Sequence, residues 1–386
     1  MVWSEHLAAV RARVREVGAN ELLQWLATRS DALVLDVREA EELVDGVIAG
    51  ATAVPRGLLE QKIEGLAGPD RPIAIYCAGG TRSALAADTL MTLGFREVVS
   101  LAGGMAGWKQ AGLPVHSGSG LSAAQRARYQ RQVVMPQVGE AGQAKLLASR
   151  VLLVGAGGLG SPTALYLAAA GVGTIGIIDD DRVDMSNLQR QILHDELMVG
   201  RPKTESARER LGRLNRDVKV EVFPVRLSVD NVRALVEGWD VVVDGTDNFT
   251  TRYLINDACV MAKIPNVHGS IQHFDGQVAV FSMGDGPCYR CLHPAPPPAH
   301  LAPSCAEAGV IGAICGVVGS LQAVEVIKVL LGIGDPLSGR LLSIDLLGVQ
   351  VRAFKVGRNP DCAVCGDHPT ITSIEAENWS CGYEPL

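Results

Sequence analysis

Four cysteines occur as two closely spaced pairs and give the strongest metal-binding signal in the chain. Cys288-Tyr-Arg-Cys291 and Cys362-Ala-Val-Cys365 are C-x-x-C pairs about 70 residues apart. Four thiolates presented in this way suit a tetrahedral structural zinc ion. The alternative is two redox-active dithiols, which we disfavour because neither pair precedes a helix in the thioredoxin manner. We expect zinc to join the middle of a domain to its end without taking part in chemistry.

A fifth cysteine, Cys77, ends a predicted strand and is followed by the glycine-rich turn Ala-Gly-Gly-Thr-Arg82-Ser83. Backbone N–H groups converge on such a turn, and together with Arg82 they would stabilise a thiolate and hold an anion against it. A buried structural cysteine is the alternative, but an apolar core would not require two glycines and an arginine. Cys77 is therefore predicted to be a reactive thiol.

A third candidate site combines glycines with an acidic residue. The apolar run 151–154 leads into an Ala/Leu-rich segment through Gly155, Gly157, Gly158 and Gly160. This pattern indicates a strand, a tight turn and a helix whose N-terminus a phosphate can approach. A second predicted strand, 174–178, ends in Asp179, where an acidic side chain can hold a ribose hydroxyl. The pattern predicts a nucleotide site, and by itself it fits a nicotinamide-dependent enzyme equally well.

The polar run after Asp179 favours chemistry at a phosphate over hydride transfer. Arg and Lys side chains directed at a nucleotide neutralise charge on its phosphates. The residues concerned are Asp181, Asn187, Gln189, Arg190, Gln191 and Lys203. The segments DDDRVDMSNLQRQ and GRPKTESA resemble the MoeB- and ThiF-type adenylyltransferases, which activate sulfur-carrier and ubiquitin-like proteins.

This resemblance implies ligands and an oligomeric state. It implies ATP and Mg²⁺ as cofactors, with the metal at Asp247 and with Asn248 beside it in the run Asp244-Gly-Thr-Asp247-Asn248. It also implies that Arg131, in the run RARYQRQ, reaches the nucleotide phosphates in the neighbouring subunit of a homodimer. From the residues alone, Arg128 and Arg131 could be a solvated helix face, and Asp244 could cap the helix that follows.

Residues 1–116 have the pattern of a small α/β domain. Its predicted elements are helices at 21–27 and 83–93 and strands at 32–36 and 73–76. The segments LVLDVREAEE, GVIAGATAVP, IYCAGGTRSALAADTL and LAGGMAGW resemble single-domain rhodaneses, and this resemblance implies a persulfide on Cys77. Four residues separate Cys77 from Arg82, which is the short loop of sulfurtransferases. The family usually has GHIPGA where this chain has GVIAGA, but that histidine is not the nucleophile.

Length and composition allow two domains and argue against several classes of protein. The chain has 386 residues, 47% of them hydrophobic, and a net charge of −7 without a long Lys/Arg block, which argues against direct nucleic-acid binding. The charges scattered through the N-terminus argue against a signal peptide. The apolar stretch 309–331 carries Gln322, Glu325 and Lys328 at helical spacing, which indicates a buried or half-buried helix rather than a membrane span. We therefore expect a cytoplasmic protein.

We predict an α/β fold with two domains. A rhodanese-like domain is expected at 1–116, a flexible linker at 117–122, a Rossmann-like, doubly wound ATP-binding adenylyltransferase domain with structural zinc at 123–366, and a C-terminal tail at 367–386. A further strand is predicted at 239–243, before the Asp244 run.

The remaining cysteines differ in their surroundings. Cys305 follows the proline-dense segment 293–300, and an exposed loop position favours reactivity. In the resembling enzymes, the cysteine of this motif can take part in sulfur transfer or thioester formation. Cys259 and Cys315 lie in apolar helical stretches and are expected to be inert. No role is predicted for His293, His300 and Cys381.

These features together predict an adenylyltransferase and sulfurtransferase. The C-terminal carboxylate of a small ubiquitin-like sulfur-carrier protein ending in Gly-Gly would be adenylated, while Arg190 and Lys203 stabilise charge on the phosphate. The Cys77 persulfide, loaded from a cysteine desulfurase or thiosulfate, would then give a C-terminal thiocarboxylate, with Cys305 as a candidate for reductive release. The pathway served is left open among molybdopterin, thiamine, tRNA thiolation and a secondary metabolite. The alternatives are a thioester-forming activator that uses Cys305, a nicotinamide enzyme and a zinc-held docking scaffold.

Overall fold

The structure, a computed structural model, describes residues 2–374 other than 30, 40–41, 44–45, 116–120 and 296–308. The chain divides into two compact units, Met1–Gln130 and Arg131–Leu386. Most of the predicted linker, 117–122, and of the predicted tail, 367–386, lies outside the described residues.

The first unit is organised around a parallel sheet. Its strands are β1 Arg15–Val17, β2 Leu33–Asp36, β3 Ala51–Ala53, β4 Ile73–Tyr76 and β5 Val98–Leu101, and its helices are α1 Trp3–Arg13, α2 Ala19–Ala27, α3 Leu59–Lys62, α4 Thr81–Thr92 and α5 Gly104–Gln110. The strand order is β1-β5-β4-β2-β3. β2, β4 and β5 are buried along their whole length, as expected for strands that are covered on both faces. The carboxyl end of β4 therefore places Cys77 at the centre of one sheet edge.

The second unit contains a larger, mixed sheet. Its strands are β6 Arg150–Val154, β7 Thr174–Ile178, β8 Lys219–Phe223, β9 Val241–Asp244, β10 Asn266–Gln272, β11 Asp275–Phe281, β12 Arg340–Asp345 and β13 Gln350–Lys355. The helices are α6 Ala123–Val133, which begins in the first unit, α7 Gly139–Ala148, α8 Gly160–Ala170, α9 Lys203–Leu214, α10 Val232–Val236, α11 Phe249–Ala262, α12 Tyr289–Leu292 and α13 Gly312–Leu331.

The strand order of this sheet is β13-β12-β11-β10-β9-β6-β7-β8. β10, β9, β6, β7 and β8 are parallel neighbours, and β11, β12 and β13 extend the sheet with antiparallel pairs. The chain proceeds outward from β6 to β8 and then returns to add β9 on the other side of β6. This reversal leaves a crevice at the carboxyl ends of β6 and β9.

Helix α13 is a core helix of the second unit, as predicted. It is the one helix in the described part of the chain with the length and composition to cross a membrane, and half of its apolar window is buried within the fold. Its polar residues have partners inside the fold. Gln322 donates to the Asp244 carbonyl at 2.8 Å, and Glu325 accepts from Lys328 at 2.6 Å and from the Leu337 amide at 2.8 Å.

The α/β class is confirmed, and the predicted elements differ from the observed ones mainly at their ends. The strands at 73–76 and 174–178 agree residue for residue with β4 and β7. The helix expected at 83–93 begins earlier, at Thr81, because Gly80 precedes it with a φ of 91°, which starts the helix directly after the loop. The strand expected at 239–243 is β9, which extends to Asp244.

Candidate active sites and metal centre

A cavity of about 330 Å³ opens at the carboxyl edge of the second sheet, where β6, β7 and β9 end. Doubly wound sheets bind their ligands at this reversal of strand order, and the volume lies within the range of small-molecule sites. Ten of the predicted nucleotide residues line it together: Gly155, Gly157, Gly158, Asp179, Asp181, Arg190, Gln191, Lys203, Asp247 and Asn248.

The glycines of this site have two different functions. Gly155 has a φ of 97° and opens the turn after β6, and Gly157 and Gly158 line the cavity wall. Gly160, which we expected at the nucleotide, does not line the cavity. It begins α8, and a Cβ at this position would overlap the carbonyl oxygen of Gly155. Gly160 therefore allows the strand end and the helix start to pass each other closely.

Asp179, at the end of β7, is held by the backbone. Its two carboxylate oxygens accept from the amides of Ala156 at 2.8 Å and Asp181 at 2.9 Å. Burial raises the pKa of Asp179, and the Lys203 ammonium opposes this shift. The Lys203 side chain is only 6% exposed, and its Nζ lies 2.7 Å from Asp181 Oδ2. A buried positive charge is thus fixed at the cavity wall, where a phosphate can meet it.

Arg190 and Gln191 reach the cavity, whereas Asn187 does not. Asn187 closes the turn before them, since its Oδ1 accepts from the Asp184 amide at 3.2 Å. The Arg190 Nη1 donates to the carbonyl of Ser186 at 3.2 Å. Gln191 is buried, and its Oε1 has no hydrogen-bond partner within the described chain. A buried acceptor without a partner is costly, and a ligand donor at this wall would satisfy it.

Asp244 shapes the turn after β9 from inside the fold. Its buried carboxylate accepts from the amide and the hydroxyl of Thr246 at 3.0 and 2.7 Å and from His268 Nδ1 at 2.7 Å. Burial favours the neutral acid, yet the hydrogen bond from His268 lowers the pKa of Asp244, and burial lowers the pKa of His268. The pair is therefore an ionised carboxylate with a neutral imidazole. Asn248 caps the next helix, since its Oδ1 accepts from the Thr251 amide at 2.9 Å.

A divalent cation could bind at either of two places in the cavity, at Asp247 or at the cluster formed by Asp179, Asp180 and Asp181. Asp247 is exposed and lines the cavity. The carboxylates of Asp179, Asp180 and Asp181 lie within 4.8 Å of one another. In that cluster, however, Asp179 already accepts two amides and Asp181 is paired with Lys203. Asp247 therefore stays our predicted ligand for a divalent cation.

Some residues that line the cavity were not assigned from the sequence. Arg226 follows β8, a strand that we did not predict. Arg252 is 9% exposed, its Nη2 donates to the Thr246 carbonyl at 3.0 Å, and its Nε has no partner among the described residues. The sequence showed that Arg252 lies about one turn after Asp247, but it did not show that the Arg252 side chain faces the cavity.

Several sequence candidates are not gathered at the cavity. Arg131 lies on α6, is exposed and is not a lining residue, so its action across a dimer stays a prediction. Cys259 and Cys315 are buried, and burial raises the pKa of Cys259, as expected for an inert core thiol. Cys305, His300 and Cys381 lie outside the described residues.

The two C-x-x-C pairs meet as predicted. Their Sγ atoms are separated by 3.3 Å for Cys291 and Cys365, 3.5 Å for Cys288 and Cys362, and 4.0 Å for Cys288 and Cys291. Zinc bonded tetrahedrally at about 2.3 Å requires sulfur separations of about 3.8 Å, so the four thiols fit this ion. The four-residue helix α12 follows Cys288, contrary to our expectation that neither pair precedes a helix. The facing second pair still favours metal over redox chemistry.

Cys77 directly follows β4, and backbone amides surround its sulfur. The Sγ accepts from the amides of Gly80 at 3.1 Å and Ser83 at 3.4 Å, and the Ser83 hydroxyl lies 3.6 Å away. The residue is 1% exposed. Converging amides stabilise negative charge on sulfur, so this loop suits a thiolate or a persulfide.

The segment LAGGMAGW, residues 101–108, packs directly against the Cys77 loop. The amides of Met105 and Ala106 donate to the carbonyls of Cys77 and Ala78 at 2.7 and 3.0 Å. Gly104 has a φ of 55°, and a Cβ at this position would overlap the Cys77 carbonyl oxygen. Only glycine allows so close an approach, and the segment can therefore hold the backbone of the Cys77 loop in place.

Arg82, the last residue of the loop, is paired with Glu42. Its Nη1 and Nη2 donate to Oε2 and Oε1 of Glu42 at 2.6 and 2.5 Å. These hydrogen bonds raise the pKa of Arg82 and lower that of Glu42 to about 2. We expected Arg82 to hold an anion against Cys77, whereas the anion that it holds is a carboxylate of the chain itself. Glu42 was not singled out, although it lies in the segment LVLDVREAEE.

Comparison with known protein families covers both units. Residues 129–364 match the model of the ThiF family, and residues 18–111 match the model of the Rhodanese-like domain. The first match covers the cavity and three of the four cysteines of the metal centre and ends one residue before Cys365, and the second covers the Cys77 loop.

Individual proteins are similar to parts of the chain. The sulfur carrier protein adenylyltransferase of Thermus thermophilus is 53% identical over 260 residues, which are 66% of this chain and 96% of that protein. The adenylyltransferase and sulfurtransferase MOCS3 of Aedes aegypti is 50% identical over 249 residues, 64% of this chain but only 57% of that protein. The crystal structure of E. coli MccB with ATP is similar at a TM-score of 0.55 and 25% identity, over 62% of this chain and 74% of MccB.

Proposed function

This chain belongs to the ThiF family and carries a rhodanese-like domain, and we propose that it adenylates a small sulfur-carrier protein and then transfers sulfur to it. The names of the relatives, a sulfur carrier protein adenylyltransferase and an adenylyltransferase and sulfurtransferase, support this pair of activities. The observation that carries the proposal is the single cavity in which a glycine turn, Arg190, Lys203 and Asp247 converge.

The first reaction would be attack of the carrier's C-terminal carboxylate on the α-phosphate of ATP. The product is an acyl-adenylate, pyrophosphate leaves, and no protein nucleophile is required. Arg190 and the buried Lys203 would stabilise the charge that develops on the phosphate. The resemblance to MccB, whose solved structure contains ATP, supports ATP as the nucleotide.

Metal ions would assist without forming covalent intermediates. Mg²⁺ held by Asp247 would neutralise phosphate charge. Zinc held by Cys288, Cys291, Cys362 and Cys365 would join two distant segments of the second unit.

The second reaction would transfer sulfur from Cys77. The terminal sulfur of its persulfide attacks the activated carbonyl, AMP leaves, and the carrier is joined to Cys77 through an acyl disulfide. A second thiol, for which Cys305 is our candidate, then attacks the Cys77 sulfur, so that the thiocarboxylate leaves and a protein disulfide forms. An external thiol must reduce that disulfide before the next turnover. The carrier would be a small ubiquitin-like protein ending in Gly-Gly.

We further propose a cytoplasmic homodimer, in which Arg131 reaches the neighbouring subunit's nucleotide. We propose that the two subunits meet at a shallow, apolar hollow of about 260 Å³ between α8 and α13. Tyr166 and Val324, which line it, are 58% and 49% exposed. Sedimentation of Val324→Glu should show monomers, and a dimer that persists in this variant would place the contact elsewhere.

Mass spectrometry of candidate carriers tests the whole sequence of reactions. Incubation with the full chain, ATP, magnesium and a sulfur donor should replace one carboxylate oxygen of the carrier by sulfur. A carrier that is adenylated but never gains sulfur would contradict transfer from Cys77. It would favour instead a thioester-forming activator that uses Cys305.

A further inference from the structure

The Cys77 loop contains a single charged side chain, and that side chain is already paired with a carboxylate of the same chain. Arg82 is the one ionisable residue between 78 and 83, and its guanidinium is bound to Glu42 through two hydrogen bonds. The proposed function leaves two sulfur donors open, and they differ in charge. Thiosulfate is a dianion, whereas the persulfide group of a persulfidated cysteine carries at most one negative charge. Electrostatics at the loop can therefore select between them.

We propose that Glu42 is a specificity-determining residue, which by pairing with Arg82 makes Cys77 accept sulfur from a persulfidated thiol rather than from thiosulfate. This inference rests on the proposed function of Cys77 as a persulfide carrier. It adds to that function the class of molecule that loads the sulfur.

The side chains of the ion pair are 34% and 33% exposed, but a buried framework holds the Glu42 carboxylate in place. Arg38 is 2% exposed and binds the Asp36 carboxylate at 2.6 Å. The same guanidinium donates to the carbonyls of Glu42 at 2.9 Å and Gly46 at 2.7 Å. The Glu39 amide donates to Glu42 Oε2 at 3.1 Å. The end of β2 thus fixes both the backbone and the carboxylate of Glu42.

The charges described around the loop do not favour a dianion. The guanidiniums of Arg82 and Arg38 are opposed by the carboxylates of Glu42, Asp36 and Glu39, so three negative charges face two positive ones. A reactive Cys77 thiolate would add a fourth. Electrostatic repulsion in this partly dry site is stronger than in bulk water, and it would oppose the approach of thiosulfate.

The transfer itself needs no external oxidant or reductant. The Cys77 thiolate attacks the outer sulfur of a donor R–S–SH, the bond between the donor's two sulfurs breaks, and the donor leaves as the thiolate R–S⁻. The product is the Cys77 persulfide, Cys–S–SH, beside the amides of Gly80 and Ser83. With thiosulfate, the leaving group would be the sulfite dianion, which would have to form close to Glu42.

The test measures loading of Cys77 alone, without ATP or a carrier. The reduced full chain is mixed with thiosulfate or with cysteine persulfide, and the rate of gain of one sulfur at Cys77 is followed by mass spectrometry. Glu42→Gln should speed loading from thiosulfate about tenfold or more and change loading from cysteine persulfide by less than about threefold. The control is Glu97→Gln, which removes a similar carboxylate from its 2.6 Å pair with Arg29 before β5, and it should change neither rate.

A second measurement uses the unmodified chain and does not depend on how well the variant folds. Loading from thiosulfate should become faster as ionic strength rises, because salt screens repulsion. A rate that falls with salt, or a Glu42→Gln variant that affects both donors equally, would overturn the role of Glu42. If neither donor loads Cys77 in the unmodified chain, the rhodanese part of the proposed function fails, and this inference fails with it.

Discussion

The two candidate sites of this chain offer different chemical groups to a negative charge. Around Cys77 the donors are backbone amides, and the one loop cation is bound to a carboxylate of the chain. In the second unit the cavity is lined by cationic side chains from several segments of the sequence, namely Arg190, Lys203, Arg226 and Arg252. The first site therefore depends on the path of the backbone, and the second depends on particular side chains at strand ends.

The largest effect that separates the two sites is expected from Cys77→Ala. Formation of thiocarboxylate should be abolished, because the sulfur nucleophile is gone. ATP–pyrophosphate exchange that depends on the carrier should stay within about twofold of the unmodified rate, since Cys77 takes no part in the attack on the α-phosphate. Thiocarboxylate formed by this variant would refute the assignment of Cys77.

Arg190→Ala should have the converse effect. Removal of one preorganised charge at the phosphates should lower pyrophosphate exchange by about 10²- to 10³-fold, while loading of Cys77 with sulfur is unchanged. The matched control is Arg182→Ala, because Arg182 donates to the Gly200 carbonyl at 2.7 Å and does not line the cavity. Equal losses of pyrophosphate exchange in the two variants would show that Arg190 has no special role at the phosphates.

A glycine substitution tests whether the first site depends on its backbone. Gly104→Ala should both strain the left-handed residue and push the Cys77 loop away, costing roughly 3 kcal/mol, so the Tm of the first unit should fall by about 10 °C. Gly112→Ala is the control, because Gly112 has a similar φ of 71° but nothing within 4 Å of the added Cβ. Calorimetry that shows equal shifts would mean that contact with the loop is unimportant.

The smallest effect is expected from the pH dependence of the Arg82–Glu42 pair. The hydrogen bonds from Arg82 lower the pKa of Glu42 from 4.5 to about 2, so the stability that the pair contributes is complete above pH 4.5 and is lost as the pH falls toward 2. Because the Glu42 side chain is 33% exposed, the contribution is about 1 kcal/mol or less. The Tm difference between the unmodified chain and Glu42→Gln should shrink between pH 6 and pH 3.5, and a constant difference would contradict this account.

Sequence reasoning succeeded where the chemistry is contiguous or regularly spaced. The Cys77 loop, the glycine turn and each C-x-x-C pair by itself occupy one short segment, so residue type and spacing were enough to single them out. The buried nature of α13 was also predictable, because Gln322, Glu325 and Lys328 recur at helical spacing within an apolar run.

What the sequence did not show depends on how distant segments pack. Glu42 reaches Arg82 across 40 residues, and His268 reaches Asp244 across 24. Neither pairing has a local signal. Gly160 shows the opposite problem, because its place in a glycine motif suggested contact with the nucleotide, whereas its function is to let two backbone segments pass.

The metal centre also changes how the second unit would respond to a cut in its backbone. Cys288 and Cys362 are 74 residues apart, and zinc bound to both pairs would close the intervening chain into a ring. A protease that nicks this ring once would produce two fragments that a denaturing gel separates. In native buffer those fragments would still travel as one particle, because the zinc ion, the pairing of β12 with β11 and the packing of α13 in the core all join them.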